Sequence, residues 1–70
     1  MTYGQKYIAE LGVAGAIFRI NHLRAKLDKY YQTRVIDINP ENLASESDNL
    51  ARAIMEVEPK YDWVTNTILV

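Results

Sequence analysis

An apolar repeat in the N-terminal half of the chain constrains the fold more than any other sequence feature. Apolar residues recur there at alternating steps of four and three, which places them on one face of an α-helix. The repeat consists of Ala9, Val13, Ala16, Ile20, Leu23, Leu27 and Tyr30. We therefore predict a helix from about Tyr3 to Tyr31, roughly 43 Å long at about 1.5 Å of rise per residue.

The start of this helix carries a capping-box pattern, with Thr2 as the N-cap and Gln5 three residues later. A second and shorter apolar stripe lies on a neighbouring face, formed by Ile8, Leu11, Gly15 and Phe18. A helix that is apolar on two faces needs more cover than one short partner helix supplies. The pattern therefore indicates self-association.

Gly12 and Gly15 lie inside the predicted helix, where each costs about 1 kcal/mol relative to alanine. One interpretation is close approach of another backbone, from a partner helix or from a ligand. The other is a break, with residues 3–11 forming a separate short helix. The apolar period continues through both glycines without losing phase, which favours close approach.

The second half of the chain predicts a strand followed by a helix. Residues 34–38 alternate and are β-branched, which is typical of a short strand. Asn39 is placed as an N-cap, Pro40 as the first helical residue and Pro59 as the stop signal. Between them runs an apolar seam at steps of four and three, formed by Leu43, Ser47, Leu50, Ile54 and Val57.

The tail is rich in β-branched and aromatic residues, which predicts a terminal strand over residues 62–69. If it pairs in parallel with residues 34–38, the intervening helix makes a minimal right-handed βαβ unit. Otherwise the tail crosses to a neighbouring subunit. The predicted fold class is mainly α, with two helices and two short strands in a single small domain over residues 1–70.

Chain length supports the expectation of a homo-oligomer. A domain of roughly 60 residues buries only about 60% of the surface that its unfolded chain exposes. Small domains compensate with disulfides, a structural metal or a partner subunit. The 70 residues contain no cysteine and one histidine, which excludes disulfides and thiolate zinc sites. We expect no metal and no cofactor.

Charge and hydropathy exclude two further classes of partner. A formal net charge of −1 argues against general nucleic-acid binding, whose affinity comes from many phosphate contacts. A bilayer span needs about 20 consecutive apolar residues, and no such run occurs. The N-terminus also lacks the charged start and apolar stretch of a secretory signal. We therefore expect a cytoplasmic protein without a membrane partner.

One stripe of the first helix combines small and basic residues. A close-approach surface beside a cationic one would suit an anionic ligand such as a nucleotide, although charged helix faces are more often merely solvated. The stripe contains Gly12, Gly15, Arg19, His22, Lys26 and Lys29. The sequence has no nucleophile elbow, phosphate loop, dinucleotide fingerprint or metal-binding histidine pair, so we name no catalytic residue.

Several apolar and aromatic residues are candidates for an interface between subunits or with a partner protein. Tyrosine and tryptophan are enriched at interfaces, although aromatic residues more commonly fill a core. The candidates are Val13, Ile17, Phe18, Ile20, Tyr30, Tyr31 and Trp63.

About half of the chain resembles one protein family. The similar segments are Tyr3-Gly4, residues 10–27 from Glu10-Leu11-Gly12 onward, and residues 48–55 ending in Ala53-Ile54-Met55. This family is the phage-associated nucleotide-modification domain, a relative of the MazG-like all-α pyrophosphohydrolases. The family's acidic-lysine pair after Arg19 reads Asn21-His22 here, and its acidic cluster is reduced to Asp48 with Glu46 nearby. The resemblance therefore implies a non-catalytic nucleotide-binding descendant.

Two functional hypotheses follow. The first is a non-enzymatic interaction protein, of the kind that phages and mobile elements use to inhibit or sequester a host factor. Small size, the missing catalytic motifs and the surplus apolar surface favour it. The second is a nucleotide-binding helical oligomer, either a sequestering protein or a degenerate pyrophosphohydrolase. The glycine-plus-basic stripe and the resemblance favour this alternative.

Overall fold

The computed structural model describes residues 1–35 and 39–69. Within them the chain forms two helices, α1 (Tyr3–Thr33) and α2 (Pro40–Val57), and two short strands, β1 (Tyr61–Asp62) and β2 (Thr67–Ile68). The predicted mainly α fold class is confirmed. Residues 36–38 of the predicted strand 34–38 lie outside the described residues. Arg34 is the left-handed C-cap of α1, and neither it nor Val35 is in a strand.

The start of α1 follows the predicted capping box. Thr2 Oγ1 accepts a hydrogen bond from Gln5 N at 3.2 Å, and Thr2 N donates to Gln5 Oε1 at 2.9 Å. Two backbone donors that the first helical turn leaves without helical partners are satisfied in this way.

A kink at Gly12 divides α1 into two helical segments. Gly12 has φ 78° and ψ 175°, a combination that essentially only glycine adopts. A Cβ added at Gly12 would meet nothing within 4 Å. The preferred interpretation of close approach is therefore wrong at Gly12, and the helix break is the correct one. The unbroken 43 Å helix is not formed, and the longest dimension of the Cα trace is 35 Å.

The close backbone approach occurs instead at Gly4, in the first turn of α1. A Cβ on Gly4 would lie 2.5 Å from Asn49 O and 2.9 Å from Ala53 Cβ, both on α2. At Gly15 an added Cβ would lie 2.9 Å from Leu11 Cβ, so this glycine accommodates its own helix at the kink. Within the chain, the neighbour of Gly15 is therefore a residue of α1 itself and not of another helix.

The boundaries of α2 agree with the predicted signals. Asn39 Oδ1 accepts a hydrogen bond from Glu41 N at 2.9 Å, and Pro40 is the first helical residue. The helix ends at Val57, and Glu58 N donates to Ile54 O at 2.7 Å. Because the residue before a proline is disfavoured in helical conformation, Pro59 stops the helix at this point.

The core lies between the two helices. Its largest fully buried side chains are Ile20, Leu23, Leu43, Leu50 and Ile54. Each such burial is worth roughly 1.5–3 kcal/mol, so these five residues dominate the packing. The predicted stripe of α1 supplies the buried Ala16, and Val13 and Leu27 are packed against the cluster. Ala9 precedes the kink and is exposed.

The tail folds as an antiparallel hairpin and not as one long strand. Tyr61 pairs with Ile68, and Asp62 pairs with Thr67. The partner of β2 is thus the segment just before it, which corrects the expectation of one continuous strand over residues 62–69. The expected pairing of the tail with residues 34–38 lies in part outside the described residues. Asn66 turns the hairpin with φ 56°, a left-handed conformation that asparagine tolerates.

Asn66 also docks the hairpin on α1. Its side-chain amide donates to Ile17 O at 3.2 Å and to Asn21 Oδ1 at 2.7 Å. The Tyr61 hydroxyl donates to Asn66 Oδ1. Asn66 is buried, and its side-chain nitrogen and oxygen both have hydrogen-bond partners. A buried polar side chain requires such partners.

Candidate binding surfaces

The kink separates Gly12 from the other residues of the glycine-plus-basic stripe of α1. Gly12 sits at the kink, and Gly15 is next to Leu11. Arg19 points to α2, where its Nη2 lies 3.2 Å from Glu46 Oε1. In the C-terminal half of the stripe, His22 and Lys29 are exposed and Lys26 is half-buried.

Glu46, on α2, contacts both the first turn of α1 and the part of α1 that follows the kink. It accepts hydrogen bonds from Arg19 Nε at 3.3 Å and from the hydroxyl of Tyr3. Burial, followed by the hydrogen bond and the negative charge of Glu46, raises the pKa of Tyr3. The sequence alone explains Glu46 as an acidic residue in the first turns of α2, where the helix dipole favours negative charge. Its role in holding the first turn of α1 depends on a contact between helices.

An exposed apolar surface, formed by Leu11 and Phe18, lies on α1. The side chain of Phe18 is 77% exposed and that of Leu11 is 58% exposed. Gly15 lies one helical turn from each in sequence, and Leu11 Cβ occupies the space beside it. Neither α2 nor the hairpin covers these two side chains. We call this pair the Leu11–Phe18 surface.

The other interface candidates have different environments. Ile20 is fully buried between α1 and α2, so the chain itself accounts for its burial. Val13 and Ile17 are half-buried and pack against the same core. At the end of α1, Tyr31 is exposed and its ring centroid lies 5.6 Å from that of the half-buried Tyr30.

Trp63 stands at the edge of a pocket between the two helices. The pocket has a volume of about 310 Å³, and its walls are Arg24, Leu27, Ala44, Ser47, Asp48, Ala51 and Trp63. Arg24 donates hydrogen bonds to the main-chain carbonyls of Trp63 and Val64. These bonds connect α1 to the hairpin, and they hold Trp63 over the pocket with its side chain about half exposed.

Ser47 is the unusual residue of this pocket. Its Oγ is buried and has no hydrogen-bond partner within residues 1–35 and 39–69. Such groups are rare, because a buried hydroxyl without a partner costs free energy. The sequence carried a signal, since Ser47 is the single polar member of the α2 seam, but the seam alone does not show a pocket.

In the part of the chain that the structure describes, no three His, Asp or Glu side chains are grouped to hold a metal ion. Neither helix is long and apolar enough to cross a bilayer. Comparison of the chain with protein-family models, with curated proteins and with solved structures found no match.

Proposed function

We propose that this chain is a non-enzymatic binding protein that assembles into a helical homo-oligomer through the Leu11–Phe18 surface. The observation that carries the proposal is the exposure of both side chains on α1. Isolated apolar side chains are common on protein surfaces, but neighbouring ones point to an interaction site. Phenylalanine is also among the residues enriched at the centre of interfaces.

Other exposed apolar side chains support a second, different protein partner. Tyr31 and Val35 are exposed at the C-terminal end of α1, away in sequence from the Leu11–Phe18 surface. The oligomer would present several copies of the exposed Tyr31 and Val35 side chains, which raises the apparent affinity for a multivalent target. We infer a role of the type found in phages and mobile elements, in which a small cytoplasmic protein inhibits or sequesters a host factor.

Light scattering on matched variants tests the assembly. Leu11 and Val57 have the same exposure, 58%, but Val57 lies at the end of α2. The double variant Leu11→Ser with Phe18→Ser should be monomeric at micromolar concentration, whereas Val57→Ser should keep the mass of the wild-type oligomer. A monomeric wild-type protein, or equal masses for all three proteins, contradicts the proposal.

The alternative function is nucleotide binding by the same oligomer. The exposure of His22 and Lys29 on one side of α1 favours it, together with the resemblance to the MazG-like family. A thermal-shift screen against mono-, di- and cyclic nucleotides discriminates, because a bound ligand raises the melting temperature by mass action. The double variant His22→Ala with Lys29→Ala should abolish such a shift, and Lys60→Ala, in the turn before β1, should preserve it.

A further inference from the structure

The part of α1 before the kink, residues 3–11, is attached to α2 by specific contacts. We call it the N-terminal segment. Gly4 N donates to Asn49 Oδ1 at 2.6 Å, and the missing Cβ of Gly4 lets the two helices meet there. Gln5 Nε2 donates to Glu56 Oε2 at 3.0 Å. The docking site on α2 therefore fits one particular helix start, with glycine in its first turn.

Gly12 is the hinge between this segment and the rest of α1. Its φ of 78° and ψ of 175° bend the helix, but helical φ and ψ are also open to glycine. The apolar repeat runs in phase from Ala9 to Val13 across Gly12, so the flanking sequence also suits one continuous helix. A Cβ added at Gly12 would meet nothing within 4 Å. Among the described residues, the hinge is therefore not packed against another element.

Straightening at Gly12 would separate the N-terminal segment from its own α2. In the bent chain, one carboxylate oxygen of Glu46 accepts hydrogen bonds from both Tyr3 and Arg19. In a straight helix, the Cα atoms of Tyr3 and Arg19 would be about 24 Å apart at about 1.5 Å of rise per residue. This distance is more than the two side chains can span. A straight α1 therefore leaves the docking site on its own α2 empty.

A second copy of the chain carries the segment that fits the vacated site. Displacement also removes Tyr7 and Ile8 from the core against which they pack, and the loss of apolar burial favours docking of the segment elsewhere. Reciprocal docking of two displaced segments restores the same contacts in both chains. Exchange of an identical element is for this reason a low-cost route to a dimer.

The Leu11–Phe18 surface lies beside the hinge. Leu11 directly precedes Gly12, Phe18 follows it, and both side chains are exposed. Two copies joined through this surface hold their hinges close together, which raises the effective concentration of each segment at the other chain's α2.

We propose that residues 3–11 exchange between two copies of the chain, by straightening at Gly12. The exchange deepens the proposed assembly and rests on it, because it names the segment that each copy contributes to the other.

Chemical crosslinking distinguishes exchanged from unexchanged chains. The chain contains no cysteine, so a short bifunctional maleimide reacts only with introduced thiols. In the double variant Gln5→Cys with Glu56→Cys, the link forms within one chain in the bent form and between two chains after exchange. The ratio of interchain to intrachain links should rise with protein concentration. The control is Arg24→Cys with Val64→Cys, whose contact lies wholly beyond the hinge and should link within one chain only.

Gly12→Ala, added to the crosslinking variant, should shift the balance towards exchange. Alanine disfavours the bent backbone and prefers a helix to the extent of about fivefold over glycine, so the ratio of interchain to intrachain links should rise at least about fivefold. Dilution disfavours a dimer by mass action, so at low concentration the Gly12→Ala protein stays bent and is less stable than the wild type.

Two results overturn the exchange, and light scattering on the wild type separates them. Links that stay within one chain in the Gly12→Ala background, in a protein that is still an oligomer, overturn the exchange alone. The same links in a monomeric protein overturn both the exchange and the assembly through Leu11 and Phe18.

Discussion

Gly4 N donates a hydrogen bond to Asn49 Oδ1 at 2.6 Å, and the Gly4 Cα faces the Asn49 backbone so closely that a Cβ would lie 2.5 Å from Asn49 O. The first turn of α1 is therefore held against α2 by a contact that only glycine permits. Beside it, Glu46 binds Tyr3 and Arg19. These contacts fold the segment before the kink onto the rest of the molecule.

Gly4→Ala should destabilise the protein by about 1–3 kcal/mol, the usual cost of forcing extra atoms into a packed site. The expected change in stability has the opposite sign to that at a solvent-exposed helix position, where alanine stabilises the helix by about 1 kcal/mol relative to glycine. Urea denaturation measures the difference. Ala9→Gly, at an exposed position of the same segment, is the control and should cost no more than about 1 kcal/mol. A stabilised Gly4→Ala variant would show that the two helices do not approach at this residue.

Gly12→Ala should also destabilise the protein, by about 1–3 kcal/mol, although a Cβ there has open space. The cost comes from the backbone, whose φ of 78° and ψ of 175° suit glycine alone. Gly12→Asn is an informative second variant. Asparagine tolerates the left-handed helical region of φ and ψ, but not the combination that Gly12 adopts. In thermal unfolding, both variants should have a melting temperature well below that of the wild type. Increased stability of Gly12→Ala would mean that α1 is continuous.

Asn66→Ala should loosen the hairpin from α1. The substitution removes the two hydrogen bonds donated to Ile17 and Asn21, and it places alanine at φ 56°. Loss of a buried network of this kind costs about 1–3 kcal/mol. We expect a lower melting temperature together with a red shift of Trp63 fluorescence. Asn42→Ala, on the exposed side of α2, should change neither quantity, and unaltered fluorescence in Asn66→Ala would rule out this docking role.

Stability should fall at alkaline pH through two tyrosines. Burial is the main cause that raises the pKa of both Tyr3 and Tyr61. A phenol with a raised pKa in the folded state contributes its full stabilisation below the unfolded pKa of about 10. That contribution is lost as the pH rises through the folded pKa.

Denaturation at a series of pH values from neutral to alkaline measures this loss. Tyr3→Phe should flatten the decline in the free energy of unfolding above about pH 10, because one of the two groups no longer ionises. Tyr31→Phe, which removes an exposed phenol, is the matched variant for comparison. Identical slopes for the wild type and Tyr3→Phe would contradict the contribution of Tyr3.

Local residue patterns were sufficient to predict the parts of the fold that depend on neighbours in sequence. The Thr2 capping box, the Asn39-Pro40 start of α2 and its end before Pro59 all agree with the structure. The α1 stripe from Val13 to Leu27 likewise marks the residues that bury or pack against the core. These features follow from hydrogen bonding and periodicity within one helix, which the order of residues specifies directly.

Contacts between elements decided the rest, because they depend on which surfaces meet. The apolar period runs in phase through Gly12, yet the chain bends there and its first turn packs on Asn49. Tail residues with strand character pair with each other, and Asn66 docks the resulting hairpin on α1. Ser47 lines a pocket only because Trp63 is held above it by Arg24 from the other helix. Periodicity within a helix carries no information on such contacts, because they form between different elements of the fold.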